Sequence, residues 1–412
     1  MRNPGRIVGL TGFEPAIPWP AFDSPYAAWF IDEQMRGPNA IPKRPVPNRL
    51  LFQDSHGSVM LVGCWGRLHH VNLMGPGSGL IQATYAVLGV ENDLDYRYLN
   101  GIQSEISGLR NWLGVSSVTE SVEWSPPRIA TVTATSAAAI AVGEGEALRL
   151  LPTWKLDHDE DAIIIRDRVL CDSRSEVALD WAEMQKQHFA LRDLLVISQW
   201  RAEVSSITHV SRNDDTYTSQ AGEISPLWRE IIPARPFDEI SPIRLRRHLI
   251  QYSEIGVAGV SKWLALRDSF ARALDPIIST RYLKNATPLT LLAQSGPGIE
   301  ALGYLILRRD GIKKDAAAAQ SLRARLDRIL LDVGDVLPFD GEVWASKTVA
   351  TYNSLKHANR KPPIEIDMIN RWRETCLVLR AWVALELGTP RVDLTARIKE
   401  DAQSHPYSLM TP

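Results

Sequence analysis

The period of the hydrophobic pattern changes near residue 240. Before it, apolar residues come in short runs of strand length. Arg49–Asp54 and Ser58–Trp65 flank Ser55-His56-Gly57, a hairpin signal between two apolar stretches. Leu80–Gly89, Ser121–Trp124, Arg128–Thr135, Glu146–Pro152 and Asp161–Leu170 add further strand-like segments, separated by Gly, Pro and acidic residues. The β-branched alternation of Ile129–Thr135 suits a half-buried strand, and the run Ala162–Ile165 a fully buried one. Tyr98–Gly114 interrupts this pattern and reads as a helix or irregular crossover carrying Trp112. Glu176–Trp200 has the 3.6 period of an amphipathic helix, Val204–Val210 is strand-like, and Asn213-Asp214-Asp215 reads as a turn.

From Ser241 the pattern is helical. Helices are expected over Ile255–Leu274, Leu289–Arg309 (broken at Gly296-Pro297-Gly298), Ala316–Val333, Val343–His357 and Asp367–Leu387. Gly388 and Pro390 supply a stop for the last of these. Short links such as Arg309-Asp310-Gly311 favour antiparallel neighbours in a bundle. The expected fold class is therefore α+β, with a β-rich N-terminal domain followed by an all-α helical bundle. Residues 1–48 form a Pro-rich arm with Trp19, Phe22, Tyr26, Trp29 and Phe30 as anchors; 49–240 are the β-rich domain, 241–285 a helical connector and 286–400 the bundle.

Composition narrows the function classes. Forty-six Lys and Arg against 48 Asp and Glu give a net charge of −2, so any nucleic-acid site must be a local patch. Cys64, Cys171 and Cys376 lack paired spacing, which argues against a disulfide framework and suits a reducing cytoplasm. No apolar run reaches the length of a membrane span, and the start of the chain lacks a signal-peptide core.

Chemistry concentrates in Tyr352-Asn353-Ser354-Leu355-Lys356-His357-Ala358-Asn359-Arg360-Lys361, ahead of Pro362 and Pro363. On a helix Asn353 and His357 share a face, and Arg360 lies one turn further on. An imidazole, an amide and cations near a helix end can bind a phosphodiester and move protons at it. A helix end whose His merely caps or packs fits the same residues. Other candidates carry less. His56, Cys64, His69 and His70 fit no zinc-ligand spacing, Asp157–Asp161 reads as a solvated acidic loop, and Gly75–Gly79 lacks the Lys-Ser/Thr ending of a phosphate loop. Arg244, Arg246, Arg247 and His248 make a second basic run, read equally as a phosphate patch or a solvated helix face.

The Tyr-Asn-Ser-Leu-Lys-His-Ala run and its flanking helices resemble the HEPN domain at the C-terminus of ApeA-like anti-phage proteins. The strand and Trp pattern of residues 40–285 is similar, more diffusely, to the N-terminal domain of that family. The resemblance implies a dimeric, metal-independent endoribonuclease that needs no cofactor. The family pattern is Arg, four to six residues, then His, often with a polar residue after the Arg. His357 and Asn353 match the His and the polar residue, while Tyr352 stands where the Arg is expected. Lys356 and Arg360 are then the candidate cations, with Tyr352 and Lys361 as binding residues and no metal ligand. The expected partners are host or phage RNA and a second copy of the chain through the bundle. The alternative is a catalytically silent module that binds RNA or protein, or a dimeric adaptor. Glu300 resembles an acidic position of the family and is read first as a helix–helix contact.

Overall fold

The computed structural model describes residues 48–408 apart from 55–56, 71–77, 92–93, 144–147, 234–247 and 358. The Pro-rich arm with its aromatic anchors, His56, Gly75–Gly77 and the arginines of the second basic run lie outside these residues, as do the side chains of His69 and His70. The fold is α+β, with strands dominating the first part of the chain and helices the last.

The chain forms two compact units. The first comprises Met1–Glu105, Asp172–Lys186 and Ser206–Glu239, the second Ile106–Cys171, Gln187–Ser205 and Ile240–Pro412. In the first, β1 (Arg49–Asp54), β2 (Gly57–Val62), β5 (Tyr85–Leu88), β13 (Ile224–Pro233), β12 (Ser205–Thr218), β6 (Tyr98–Ile106) and the C-terminal half of β11 (Ala162–Asp180) lie side by side in that order. A small two-stranded sheet pairs β3 (Trp65–His70) with β4 (Ser78–Gln82). Register follows burial: Met60 pairs with Val87 and Val87 with Ile231, so three apolar side chains form one row on the core face. Trp181 closes this core. Its ring stacks on Tyr85 at 4.1 Å and its indole N–H donates to the Tyr96 carbonyl at 2.8 Å.

Three sequence expectations change here. Tyr98–Ile106 is a strand rather than a helix or crossover. Leu99, Ile102 and Ile106 are buried along it, and a Cβ at Gly101 would lie 2.3 Å from Ser211 Oγ, so only Gly permits the adjacent strand this approach. Strand β12 runs through Asn213-Asp214-Asp215, with a register shift between Ser211 and Thr216. Polar partners replace the expected turn: Arg229 donates to both Asp215 oxygens at 2.8 and 3.0 Å, and Tyr96 Oη donates to Asp215 at 2.5 Å. The expected helix over Glu176–Trp200 is Trp181–Gln199 (α2); Glu176–Asp180 still belong to β11, and Asp180 accepts the Glu183 N–H at 2.9 Å.

In the second unit the N-terminal half of β11 continues through β10 (Leu148–Asp159) to β9 (Ile140–Val142), and β7 (Val118–Glu123) pairs with β8 (Ile129–Ala134) as a separate hairpin. The acidic run falls at the β10–β11 turn, where Lys155 and Arg166 hold Asp157 at 3.1 and 3.0 Å. The helices are α1 (Leu109–Leu113), the C-terminal part of α2, α3 (Tyr252–Ser269), α4 (Ala271–Ser279), α5 (Pro288–Arg309), α6 (Lys314–Ala319), α7 (Leu322–Val333), α8 (Gly341–Lys356), α9 (Glu365–Glu386) and α10 (Arg391–Glu400). Helix α9 is apolar on every side between Cys376 and Ala384, save Arg380, and forms the centre of the core. Trp263, Trp344 and Trp382 are the largest side chains buried in that core, and Trp263 Nε1 donates to the Ala190 carbonyl.

Three helix expectations also differ. The helix expected over Ile255–Leu274 is divided at Phe270 into α3 and α4. Helix α5 runs unbroken through Gly296-Pro297-Gly298. The two glycines are packing positions: a Cβ at Gly298 would lie 2.8 Å from the Ala273 carbonyl of α4, so the glycine lets α4 approach closely. The expected helix over Ala316–Val333 is two, because Gln320 is extended and Ser321 starts α7 by accepting the Ala324 N–H at 3.2 Å.

Candidate functional site

Asp340 begins α8 as an N-cap, its carboxylate accepting the Val343 N–H at 3.0 Å. The helix ends at Lys356, earlier than the prolines would require. His357 takes an extended conformation (φ −112°, ψ 106°), and its N–H donates to the Asn353 carbonyl at 3.1 Å, closing the last turn. Arg360 N–H then donates to the His357 carbonyl at 3.0 Å, so a tight turn brings the Arg360 backbone back to His357. Arg360 thus sits on this turn and not on a continuation of the helix. His357, Arg360 and Lys361 are exposed, and Asn353 is half-buried. Among the described residues the side chains of His357, Arg360 and Lys361 make no hydrogen bond or ion pair.

Tyr352 points the other way and is 3% exposed. It packs on α5 at Gly296, where a Cβ would come within 2.1 Å of its ring. Lys356 lies one turn on and holds its Nζ 4.2 Å from the Tyr352 ring centroid, a cation–π contact. The same ammonium reaches Glu300 Oε2 at 3.3 Å, while Arg325 of α7 donates to Glu300 Oε1 at 2.8 Å. Glu300 therefore ties three helices together, as a helix–helix contact. Burial raises the Tyr352 pKa above its ordinary value, against the opposing pull of Lys356. For Lys356, burial opposes the charge, but Tyr352 and Glu300 outweigh it and the pKa is raised. At neutral pH the pair is a neutral phenol beneath an ammonium.

Sequence reasoning did not find Arg325, because it meets Glu300, the carboxylate that Lys356 also reaches, only through packing of α5, α7 and α8. Nor did it find the buried group on α9 in which Arg371 reaches Glu374 at 2.6 Å and Arg373 reaches it at 3.2 Å. The 3.6 period that marked the helix gave no sign that these charges turn inward. Among the described residues, no group of three or more His, Cys, Asp or Glu is arranged to hold a metal ion.

Chemically, the end of α8 offers an exposed imidazole beside two unpaired cations, on a scaffold fixed by the Tyr352–Lys356–Glu300 contacts. Residues 307–393 match the family model described as Apea-like HEPN, and residues 21–263 match that described as ApeA N-terminal domain 1. The second match spans more than half of the 412 residues, and the chain belongs to the ApeA family. No curated protein and no solved structure matches the chain. No helix among the described residues is long and apolar enough to cross a membrane.

Proposed function

We propose that the chain is an anti-phage defence protein of HEPN type that cleaves host or phage RNA in the cytoplasm without a metal ion. The observation that carries this reading is the exposed His357 at the end of α8, with Arg360 turned back onto its carbonyl. In the reaction, the ribose 2′-oxygen loses its proton to a base and attacks the adjacent phosphorus. The 5′-oxygen leaves and takes up a proton, so that a 2′,3′-cyclic phosphate remains. An imidazole suits either proton transfer near neutral pH. Arg360 is the cation free to meet charge developing on the phosphate oxygens, with Lys361 beside it as a binding residue. Lys356 is engaged by Glu300 and Tyr352 and serves first to hold the helix end in place. Asn353, half-buried on the His357 face, orients the imidazole or the substrate. A second copy of the chain, paired through the 286–400 bundle, would bring two such ends to one RNA, and the 49–240 region would carry the sensing role.

The test is the purified full chain with end-labelled RNA in excess chelator. Cleavage to cyclic-phosphate ends that disappears in His357→Ala is the expected result, and equal cleavage by both proteins removes His357 from the chemistry. One observation favours a second reading, binding without cleavage: an uncharged, packed Tyr352 fills the family's Arg position. Losing one electrostatic donor of this kind costs about a hundred- to a thousand-fold in rate. RNA retardation without products would select that reading.

A further inference from the structure

The sheet of the first unit carries a groove of about 230 Å³, lined in part by Trp228, Ser211, Arg174 and Glu176. It lies across the neighbouring strands β13, β12, β6 and β11. Trp228 is three residues from the buried Ile231 on β13, so strand alternation puts it on the face away from that core. Gly101 of β6 makes room for the indole there, since a Cβ would lie 2.7 Å from Trp228 Cη2. The guanidinium of Arg174, on β11, lies 5.4 Å from the Trp228 ring centroid. Arg174 Nε donates to Asp172 Oδ2 at 3.2 Å. Its terminal nitrogens make no hydrogen bond among the described residues, and the side chain is 54% exposed. Glu176, two residues on, shares this face of β11, is exposed, and forms no ion pair among the described residues. Ser211 is 3% exposed, yet its hydroxyl is neither hydrogen-bonded within the described residues nor sealed from solvent.

The groove thus joins two flat groups, an indole and a guanidinium, to an unmatched fork of donors and an unmatched pair of acceptors. Its charge argues against a phosphate or carboxylate, because Asp172 balances Arg174 and Glu176 adds a further negative charge. Flat faces of this kind hold nucleobases, which stack on aromatic rings and on guanidinium planes alike. A sugar ring would instead turn its positively polarised C–H groups toward the cation. The volume is that of about eight waters at roughly 30 Å³ each, the size of one base rather than of a nucleotide. Among the four bases, only guanine carries two adjacent acceptors, O6 and N7, together with two adjacent donors, N1–H and the 2-amino group. We propose that this groove binds a guanine base stacked against Trp228. Arg174 donates to O6 and N7, and Glu176 accepts from N1–H and the 2-amino group. Ser211 Oγ supplies a further polar contact. Free guanosine and a guanine in single-stranded RNA present the same edges. The inference stands apart from the chemistry assigned to His357.

The experiment titrates guanosine, adenosine, cytidine and uridine into the full chain by calorimetry. A single-stranded adenosine pentanucleotide, with and without a central guanine, is titrated into the full chain carrying His357→Ala, so that RNA stays intact. Guanine is expected to bind one-to-one, and at least about fivefold more tightly than any other base in the same setting, the discrimination of one bidentate pair. Glu176→Gln replaces one acceptor by a donor, and Arg174→Lys keeps the charge but loses the fork. Each is expected to weaken guanine binding at least about fivefold at unchanged Tm, since both side chains are exposed. Tighter binding of the guanine pentanucleotide than of guanosine would uphold the proposal with a strand as the source. Equal or weaker binding would uphold it with the free nucleoside. Absence of binding by both at millimolar concentration would overturn it. So would equal affinity for adenine, or undiminished affinity for guanine in both variants.

Discussion

Lys356 carries its ammonium nitrogen 4.2 Å from the centroid of the Tyr352 ring, one turn earlier on α8, and shares that ammonium with Glu300. Tyr352 is therefore part of the scaffold, and under the function proposed above the cations that would meet a phosphate are Arg360 and Lys361, beyond the helix. This relationship makes the helix end testable through its supports as well as through His357.

The first support is Gly296. Replacing a helix-interior Gly by Ala ordinarily stabilises by about 1 kcal/mol. At Gly296 the new methyl would lie 2.1 Å from Tyr352 Cε2, inside the ring's van der Waals surface. Overpacking of this kind costs about 1–3 kcal/mol. Gly296→Ala is expected to lower the free energy of unfolding in urea, and adding Tyr352→Leu should recover part of the loss. A Gly296→Ala protein more stable than wild type would mean that the ring does not sit where α5 receives it.

Glu300→Gln tests the second support. Glu300 is partly exposed, and paired surface charges contribute little, so the stability loss should be about 1 kcal/mol or less. The larger effect is on charge. Without the carboxylate, Lys356 is released toward solvent, and RNA retardation should tighten, most clearly at low salt. Unchanged retardation at low salt would show that Lys356 does not face the RNA.

Much of this arrangement was legible in the sequence, and the exceptions share a cause. The helices of the bundle and the placing of His357 near a helix end follow from local period and capping residues. The strand at Tyr98–Ile106 was missed because Gly101 and Asn100 look like breakers until Ser211 and the carbonyls of Ser175 and Glu176 are brought beside them. The same holds for Asn213–Asp215, whose turn-like composition is overridden by Arg229 and Tyr96, and for Gly296-Pro297-Gly298, where closeness to Tyr352 and Ala273 replaces a break. In each case a local preference of about 1 kcal/mol per residue yields to a tertiary contact that no sequence window contains. Tyr352 could be located as a departure from the family pattern, but its inward direction depends on α5.

A pH effect follows from His248. Gln199 Nε2 donates to its Nε2 at 2.7 Å, so its Nδ1–H donates to Ser198 Oγ at 3.1 Å, and Ser198 donates on to the Ile250 carbonyl at 2.9 Å. This chain holds a neutral imidazole, and burial pushes its pKa from 6.5 down to about 4. Above pH 6.5 neither the folded nor the unfolded chain protonates it, and nothing is lost. Between about 6.5 and 4 the unfolded chain binds a proton that the folded chain does not, so stability falls as pH falls, by about 3 kcal/mol in all. His248→Asn should remove this part of the pH dependence of unfolding between pH 7 and 4. An identical slope in the variant would assign the acid sensitivity to other groups.

The last prediction concerns Arg380, which has no exposed surface and lies in the otherwise apolar middle of α9. Its Nε donates to the Ile197 carbonyl at 2.7 Å, its terminal nitrogens to Gln403 at 2.8 Å and the Ser198 carbonyl at 3.2 Å, and it is paired with Asp401 at 2.8 Å. A planar fork with five donors can meet these acceptors together; an ammonium on a flexible stem cannot. Arg380→Lys keeps the charge but strands at least one carbonyl or the Gln403 oxygen, and is expected to cost about 1–3 kcal/mol. Arg380→Met goes further. It leaves the Asp401 carboxylate without its buried partner and should cost about 3–5 kcal/mol, which urea denaturation would register as a large drop in midpoint. If Arg380→Met instead matched or exceeded wild-type stability, the pair would be one whose desolvation outweighs its attraction, and Asp401 would have to reach solvent in the variant.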